Sequence, residues 1–271
     1  MISNQIYEII YITLKNNERS LIYSDYLKSI NLCAKPFYGF DFRNISVSNE
    51  FKNFSKKKFF NKYGRRPTSA EIGCVLSHFE VIKSSKSRDP LIILEDDALL
   101  KVSSKVFIKI LDSINNTDRY EIVIFGFSKC DEISDYQLNI SNPFLATKTF
   151  KNLDYSLGER LVNSTSGALA YYLSPSAKKK ISLLSNIHHV ADDWDYYSKL
   201  GIKIGYIYPS LVIEDLSQKS TLNHNENYFR VSISENKFIN FLKIIKNYSL
   251  GFYRKLLLKL RIIMSDFFYK S

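Results

Sequence analysis

Five stretches of the chain are apolar almost without interruption yet too short to be long helices: IYEIIYITL (6–14), LIIL (91–94), EIVIFGF (121–127), GALAYYLS (167–174) and KIGYIYPSLVI (203–213, broken at Pro209). Continuous runs of this length, in place of strict alternation, predict strands buried on both faces. Between them apolar residues recur at three- and four-residue steps, predicting a helix that ends near Ile30, another over RPTSAEIGCVLSHFEVIKSS (66–85) and a third after Ser174. Alternating buried strands and helices predict an α/β fold whose mainly parallel sheet is flanked by helices. Ser128 to Asn163 is polar and aperiodic, so it reads as a long loop or lid, a length usually kept for function inside a domain.

Two helix starts carry their own mechanism. Thr68 followed by Glu71 is a capping box, and Ile72, Val75, Leu76, Phe79 and Ile82 then form a buried stripe, with Glu71 and His78 on one flank. Gly73 inside this helix costs about 1 kcal/mol relative to alanine, which predicts that another segment approaches its backbone closely. Ser174 and Pro175 supply an N-cap and a proline at the first helical position.

Composition narrows the class. At 271 residues and 45% hydrophobic, the chain can bury one sizeable core with an appendage, divided here as a domain over 1–232 and a tail over 233–271. Three widely spaced cysteines, Cys33, Cys74 and Cys130, with no CxxC pair, indicate neither a disulfide framework nor a zinc knuckle and suit a reducing cytosol. The N-terminal MISNQIYEIIYITL lacks the basic region and cleavage site of a signal peptide, and no run is long enough to span a bilayer.

The net charge of +11 is concentrated at one end. From Lys237 onward eight basic residues face one acid, Asp266, so +7 of the +11 belongs to the tail. There Phe238, Phe241, Leu242, Ile245, Phe252, Leu256, Leu260 and Ile263 recur at helical spacing with lysines and arginines between them, and Gly251 is expected to split the pattern into two helices. Two arrangements fit: a helix packed on the domain with its lysines in water, or an amphipathic helix lying on an anionic membrane, where each basic residue adds roughly 1 kcal/mol.

LIILEDDALL (91–100) ends a buried strand in three acids, Glu95, Asp96 and Asp97. Ligands of open α/β sheets bind beyond the carboxyl ends of strands, and carboxylates there can hold Mg²⁺ or Mn²⁺ bridging to substrate phosphates. In extended chain Glu95 and Asp97 face one way and Asp96 the other. A lone acidic pair at such a place more often caps a helix or faces water; three acids favour a site.

These residues carry a family resemblance. EIGCVLSH (71–78) followed by LIILEDDALL resembles glycosyltransferase family 25, the bacterial lipopolysaccharide and lipooligosaccharide galactosyltransferases, with both motifs in the same order. YITLKNNERS (11–20), FYGFDFRN (37–44, with Asp41 but without the family's glycine after it), EIVIFGF, SGALAYYLSPSAKKKI (166–181), VADDWDYY (190–197) and PSLVIEDLSQKS (209–220) extend the likeness over about residues 6–222.

The resemblance implies a GT-A-like fold and a Mn²⁺- or Mg²⁺-dependent, inverting transfer of a sugar, most often galactose, from a UDP-sugar donor to a lipid-linked or soluble oligosaccharide. Metal ligands would come from Asp97, Asp96 and Glu95, with His224 a weaker candidate. Donor contacts would come from Thr13, Arg19, Asp41, Glu71, His78, Glu95 and Asp96. Inversion needs a base, for which Asp193 is the first candidate and Asp192 and Asp195 the others, with Trp194 stacking on the acceptor sugar. Asp192 and Asp195 equally suit the cap and first turn of a helix. The expected location is the cytoplasmic face of the bacterial inner membrane, peripherally bound. A nucleotidyltransferase, a nuclease or another metal-dependent phosphate-ester enzyme would also pair acids with metal. The basic residues gather in the tail and line no visible groove, so nucleic acid is not expected as a partner. A non-catalytic membrane-surface protein would leave the acids without a purpose.

Overall fold

The computed structural model describes residues 7–43, 45–46, 51–86, 88–129, 132–163, 165–217, 246 and 248–261. In chain order the elements are β1 (Glu8–Thr13), α1 (Glu18–Ser29), β2 (Lys35–Tyr38), α2 (Lys56–Tyr63), α3 (Ser69–Ser84), β3 (Leu91–Glu95), β4 (Ala98–Leu100), α4 (Ser104–Asn115) and β5 (Ile122–Gly126). There follow α5 (Glu132–Ser141), β6 (Phe144–Thr149), β7 (Ser156–Arg160), β8 (Ala170–Leu173), α6 (Pro175–Ser182), α7 (Trp194–Lys199), β9 (Ile204–Tyr208) and β10 (Val212–Glu214). Eight strands form one sheet in the order β2-β1-β3-β8-β5-β9-β7-β6, and β4 pairs with β10 in a separate two-stranded ribbon.

β3 shows why the sequence runs are continuously apolar. Leu91 and Ile93 enter a core with Ile72, Val75 and Ile82 of α3 and Ile181 of α6. Ile92 and Leu94 enter another core, with Tyr23 of α1 and Phe107, Ile110 and Leu111 of α4. Both faces of the strand are covered, so no position is left for a polar residue.

The sheet is mixed. β1 pairs in parallel with β2 and β3, and β5 with β9. β8 lies antiparallel between β3 and β5, and β7 is antiparallel to both its neighbours. Six strands therefore run one way and two the other. The 128–163 stretch, expected as a loop or lid, instead holds α5 and the β6–β7 hairpin that extends the sheet to its edge. Its polarity reflects an edge position, where half-exposed strands need no continuous apolar run.

The helix starts agree with the sequence. Thr68 and Glu71 form the reciprocal capping box of α3, and Ser174 caps α6 ahead of Pro175. A Cβ on Gly73 would lie 2.5 Å from the Phe40 carbonyl oxygen, so the close approach predicted there is the Phe40 segment.

Residues 248–261 form one helix that runs through Gly251 without a break. The expected division at Gly251 is corrected: a Cβ there would lie 1.9 Å from the Ile140 carbonyl oxygen, so the glycine lets the helix press onto the end of α5. Leu258 is buried, Arg254 donates to the Ser141 carbonyl at 2.7 Å, and Arg261 reaches Glu159 at 2.9 Å. Phe238, Phe241, Leu242, Ile245 and Ile263 lie outside the described residues. Among the described residues no helix is long and apolar enough to cross a membrane.

Candidate functional site

The carboxyl ends of β1 and β3 lie side by side, with Ile12 opposite Glu95. Past β1 the chain turns through Asn16 at φ 59°, and Asn17 caps α1 by accepting from the Arg19 backbone N–H at 3.2 Å. This places Arg19 in the first helical turn, where its Nη2 lies 2.7 Å from both Asp96 Oδ1 and Asp97 Oδ2. Thr13 donates to the other Asp96 oxygen at 2.7 Å. Tyr23 donates to the Ala98 carbonyl at 2.8 Å and so ties α1 to the acidic turn.

The β4–β10 ribbon brings a fourth acid that no role was assigned to from sequence. Glu214 pairs with Ala98, Asp215 N–H donates to the Asp97 carbonyl at 2.8 Å, and Glu214 itself accepts from Ser128 at 3.0 Å and from the Lys129 N–H. Its only sequence signal was an acidic pair inside the PSLVIEDLSQKS segment.

The opposite wall is α3 and the segment lying on it. Ser77 accepts from Phe40 N–H at 2.8 Å, and Phe40 and Phe42 stack with centroids 5.5 Å apart. Between these walls is a pocket lined by Thr13, Asn17, Arg19, Asp41, Cys74, His78, Glu95, Asp96, Asp97 and Glu214. His78, 2% exposed, is held through Nδ1 by the Tyr171 hydroxyl at 2.7 Å, with Nε2 3.2 Å from Glu95.

Four carboxylates line this pocket, and the Arg19 guanidinium meets two of them, Asp96 and Asp97. Burial, then Glu95, pushes the Asp97 carboxyl up to about 7, with Arg19 opposing. Burial likewise raises Asp96 against the pull of Thr13 and Arg19. Asp97 Oδ1 and Arg19 Nε are buried with no partner. A buried carboxylate oxygen without a donor is costly unless something cationic meets it. The set of Asp97, Asp96, Glu95 and Glu214 therefore fits a hard divalent cation of the Mg²⁺ or Mn²⁺ class, which takes oxygen ligands.

The second acidic cluster resolves into distinct roles. Asp193 is the N-cap of α7, accepting from Tyr196 N–H at 3.0 Å, from Tyr63 and, at 2.6 Å, from Lys62. Burial would raise this carboxyl, but Lys62 and Tyr63 outweigh it and hold it below the usual range. Asp195 is exposed and pairs with Lys199 at 2.5 Å. Asp192 accepts from the Gly167 N–H and is raised by burial, with Glu95 of the pocket adding to the rise.

Other expected residues fall elsewhere. Trp194 is 1% exposed, edge-on to Tyr171 at 5.2 Å, so it cannot stack on an acceptor sugar; its apolar bulk fills the core instead. Glu71 is engaged by Arg65 at 2.5 Å and by the capping box, and does not line the pocket. Asp41 lines it but is clamped by Arg43. His224 lies outside the described residues. Thr13, Arg19, His78, Glu95, Asp96 and Asp97 are brought together.

No curated protein matches. Among solved structures, a protein assigned as a glucose-1-phosphate thymidylyltransferase from Bacillus anthracis, solved with sucrose, is 11% identical, with 74% of this chain and 85% of that one covered at a TM-score of 0.36. A UDP-glucose pyrophosphorylase complexed with UDP-glucose is 11% identical, with 78% and 76% covered at 0.32. Scores this low carry no conclusion about this chain. The profile of glycosyltransferase family 25 (LPS biosynthesis protein) matches residues 6–194, a span that holds the strand-end acids, Arg19, the α3 motif, Asp192 and Asp193. The chain belongs to glycosyltransferase family 25.

Proposed function

We propose that the protein is a metal-dependent, inverting glycosyltransferase of GT-A type that moves a sugar, galactose in the first instance, from a UDP-sugar to a saccharide acceptor in lipopolysaccharide or lipooligosaccharide synthesis. The observation that carries this is the unpartnered Asp97 Oδ1 among four carboxylates at the strand ends. Asp97 and Asp96 would hold Mn²⁺ or Mg²⁺, with Glu95 and Glu214 beside them, and such an ion would supply positive charge against a diphosphate leaving group. Arg19 fixes both aspartates and limits their mutual repulsion. His78 orients Glu95, and the stacked Phe40 and Phe42 offer an apolar wall suited to a nucleobase.

For the base, Asp192 replaces Asp193 as first candidate. A general base works best with its pKa raised toward the working pH, and a carboxylate held low by a lysine and a tyrosine is a poor proton acceptor. Asp192 is raised, chiefly by burial and in part by the charge of Glu95, whereas Asp193 is committed to its cap.

The outer face of helix 248–261 supports a peripheral membrane location. Phe252, Tyr253, Leu256 and Leu260 are all about half exposed or more, turned away from the Gly251–Leu258 face that docks on the domain, with Lys255 and Lys259 on their flank. An anionic inner-leaflet surface would accept both the apolar stripe and the lysines.

The deciding experiment is calorimetric binding of UDP-, GDP- and CMP-sugars with and without Mn²⁺. UDP-galactose binding that needs Mn²⁺ and vanishes in Asp97→Asn is expected. Equal binding without the ion, or in the variant, overturns the metal-dependent reading.

A further inference from the structure

The pocket also contains a donor set of different chemistry. Cys74 and His78 are one helical turn apart on α3, so both face Glu95 at the end of β3, and one ligand atom from each lies within 4.8 Å of the others. A thiolate, an imidazole and a carboxylate are poor ligands for Mg²⁺ and good ones for Zn²⁺, which takes three protein ligands and leaves a fourth position open at reactive or exchangeable sites.

We propose that Cys74, His78 and Glu95 form a binding site for Zn²⁺-class ions, separate in ligand chemistry from the all-oxygen set around Asp97. On a tetrahedron with Zn–N near 2.0 Å and Zn–S near 2.3 Å, ligand atoms stand about 3.3–3.6 Å apart. His78 Nε2 and Glu95 Oε1, at 3.2 Å, already have that separation. The Glu95 side chain is 30% exposed, which leaves it room to turn toward the sulfur once an ion replaces its hydrogen bond to His78.

The surroundings of His78 favour the same use. Metal-bound histidines donate their other ring N–H to a fixed partner, which sets the tautomer. Tyr171 occupies that position at Nδ1, buried and edge-on to Trp194, and its hydroxyl can either donate or accept. Without an ion, Tyr171 donates to Nδ1 and Nε2–H donates to Glu95. With one, the ring proton sits on Nδ1 and is accepted by Tyr171, while Nε2 turns its lone pair to the ion. The thiol proton of Cys74 leaves to solvent, so binding releases protons and weakens as pH falls.

Occupancy draws Glu95 toward α3 and away from the Asp97 set. Zn²⁺ should then act as a brake on any chemistry that uses Glu95. The site itself does not depend on the proposed transfer reaction.

The test is optical titration of the full chain with Co²⁺. One ion per chain should give a sulfur-to-cobalt charge-transfer band, displaced by equimolar Zn²⁺ but not by a hundredfold excess of Mg²⁺. The band should persist in Cys33→Ser and in Asp97→Asn, and disappear in Cys74→Ser. Absence of the band, or its survival in Cys74→Ser, overturns the site. Should Cys74→Ser melt early, His78→Gln replaces it: that variant must lower Co²⁺ affinity at least tenfold, and unchanged affinity equally overturns the proposal. Because the readout is metal binding at a thiolate, its failure leaves the Asp97 reading untouched.

Discussion

At the scale of single residues the acids divide by what surrounds them. Asp97→Asn keeps shape but removes the charge facing Oδ1, so Mn²⁺ binding and turnover should fall by a hundredfold or more with the melting temperature little changed; full turnover at low Mn²⁺ refutes this. Asp192 and Asp193 are neighbours with opposite shifts. A base must be ionised, and Asp192 is raised above its ordinary value near 3.8, so the acid limb of kcat/KM should lie above the usual aspartate range. Asp192→Asn should remove that limb and lower kcat by about 10²-fold or more. Asp193→Asn should act on stability instead: asparagine caps as well as aspartate, but the charge paired with Lys62 is lost, at a cost of about 1 kcal/mol. Stopped assays across pH on both variants separate the two assignments, and a larger kcat loss in Asp193→Asn would return the base to Asp193.

At the scale of elements, α3 sets propensity against packing. Gly73→Ala would gain about 1 kcal/mol of helix propensity. Its methyl would meet the Phe40 carbonyl at 2.5 Å, and displacing backbone costs about 1–3 kcal/mol, so packing wins. The variant should have a lower urea midpoint and weaker nucleotide binding, because the Phe40 segment is a pocket wall; a stabilised variant with unchanged binding refutes it. Ahead of α7, His189 is 1% exposed, and burial lowers it to about 4. The fold holds it neutral, so its contribution is fully present above the unfolded value of 6.5 and is lost as pH falls from 6.5 toward 4, up to about 3 kcal/mol. Thermal melts between pH 7 and 4 should decline less steeply in His189→Gln than in the parent.

At the scale of the whole molecule, the C-terminal helix joins two roles that the sequence offered as alternatives. One face docks through Gly251, Arg254, Leu258 and Arg261; the other carries an exposed apolar stripe that, among the described residues, no element covers. Deleting the tail would strip the docking contacts along with the stripe, so substitutions on the outer face test membrane binding more cleanly. Lys255→Gln with Lys259→Gln should weaken binding to anionic vesicles by roughly 2 kcal/mol, about thirtyfold, and flatten its salt dependence. Phe252→Glu with Leu256→Glu should weaken it further without shifting the melting temperature. Vesicle flotation with neutral and anionic lipid reads both; undiminished binding refutes the membrane role.

Local chemistry made part of this protein readable from its residues alone. The capping box of α3, the cap of α6, the close approach at Gly73 and the double-faced burial of β3 all follow from neighbours within a few positions, and each agrees with the structure. The strand-end acids were legible for the same reason, since a buried run that stops in carboxylates signals the carboxyl end of a sheet, whereas Arg19 was marked only by the family resemblance. Strand direction was not legible, because a strand buried on both faces reads the same whichever way it runs, so nothing in the sequence marked β8 as antiparallel within the mainly parallel sheet. The hairpin β6–β7 was hidden by edge exposure, and Trp194 by the absence of any local sign that Tyr171 would cover it. Which of two adjacent aspartates is clamped depends on Lys62 and Tyr63, about 130 residues earlier. Glu214 reaches the acids only through the ribbon that β10 makes with β4, and Cys74 meets Glu95 only because α3 packs across the end of β3. Contacts between distant segments are set by how the layers stack, which is a property of the folded whole and not of any short stretch of chain.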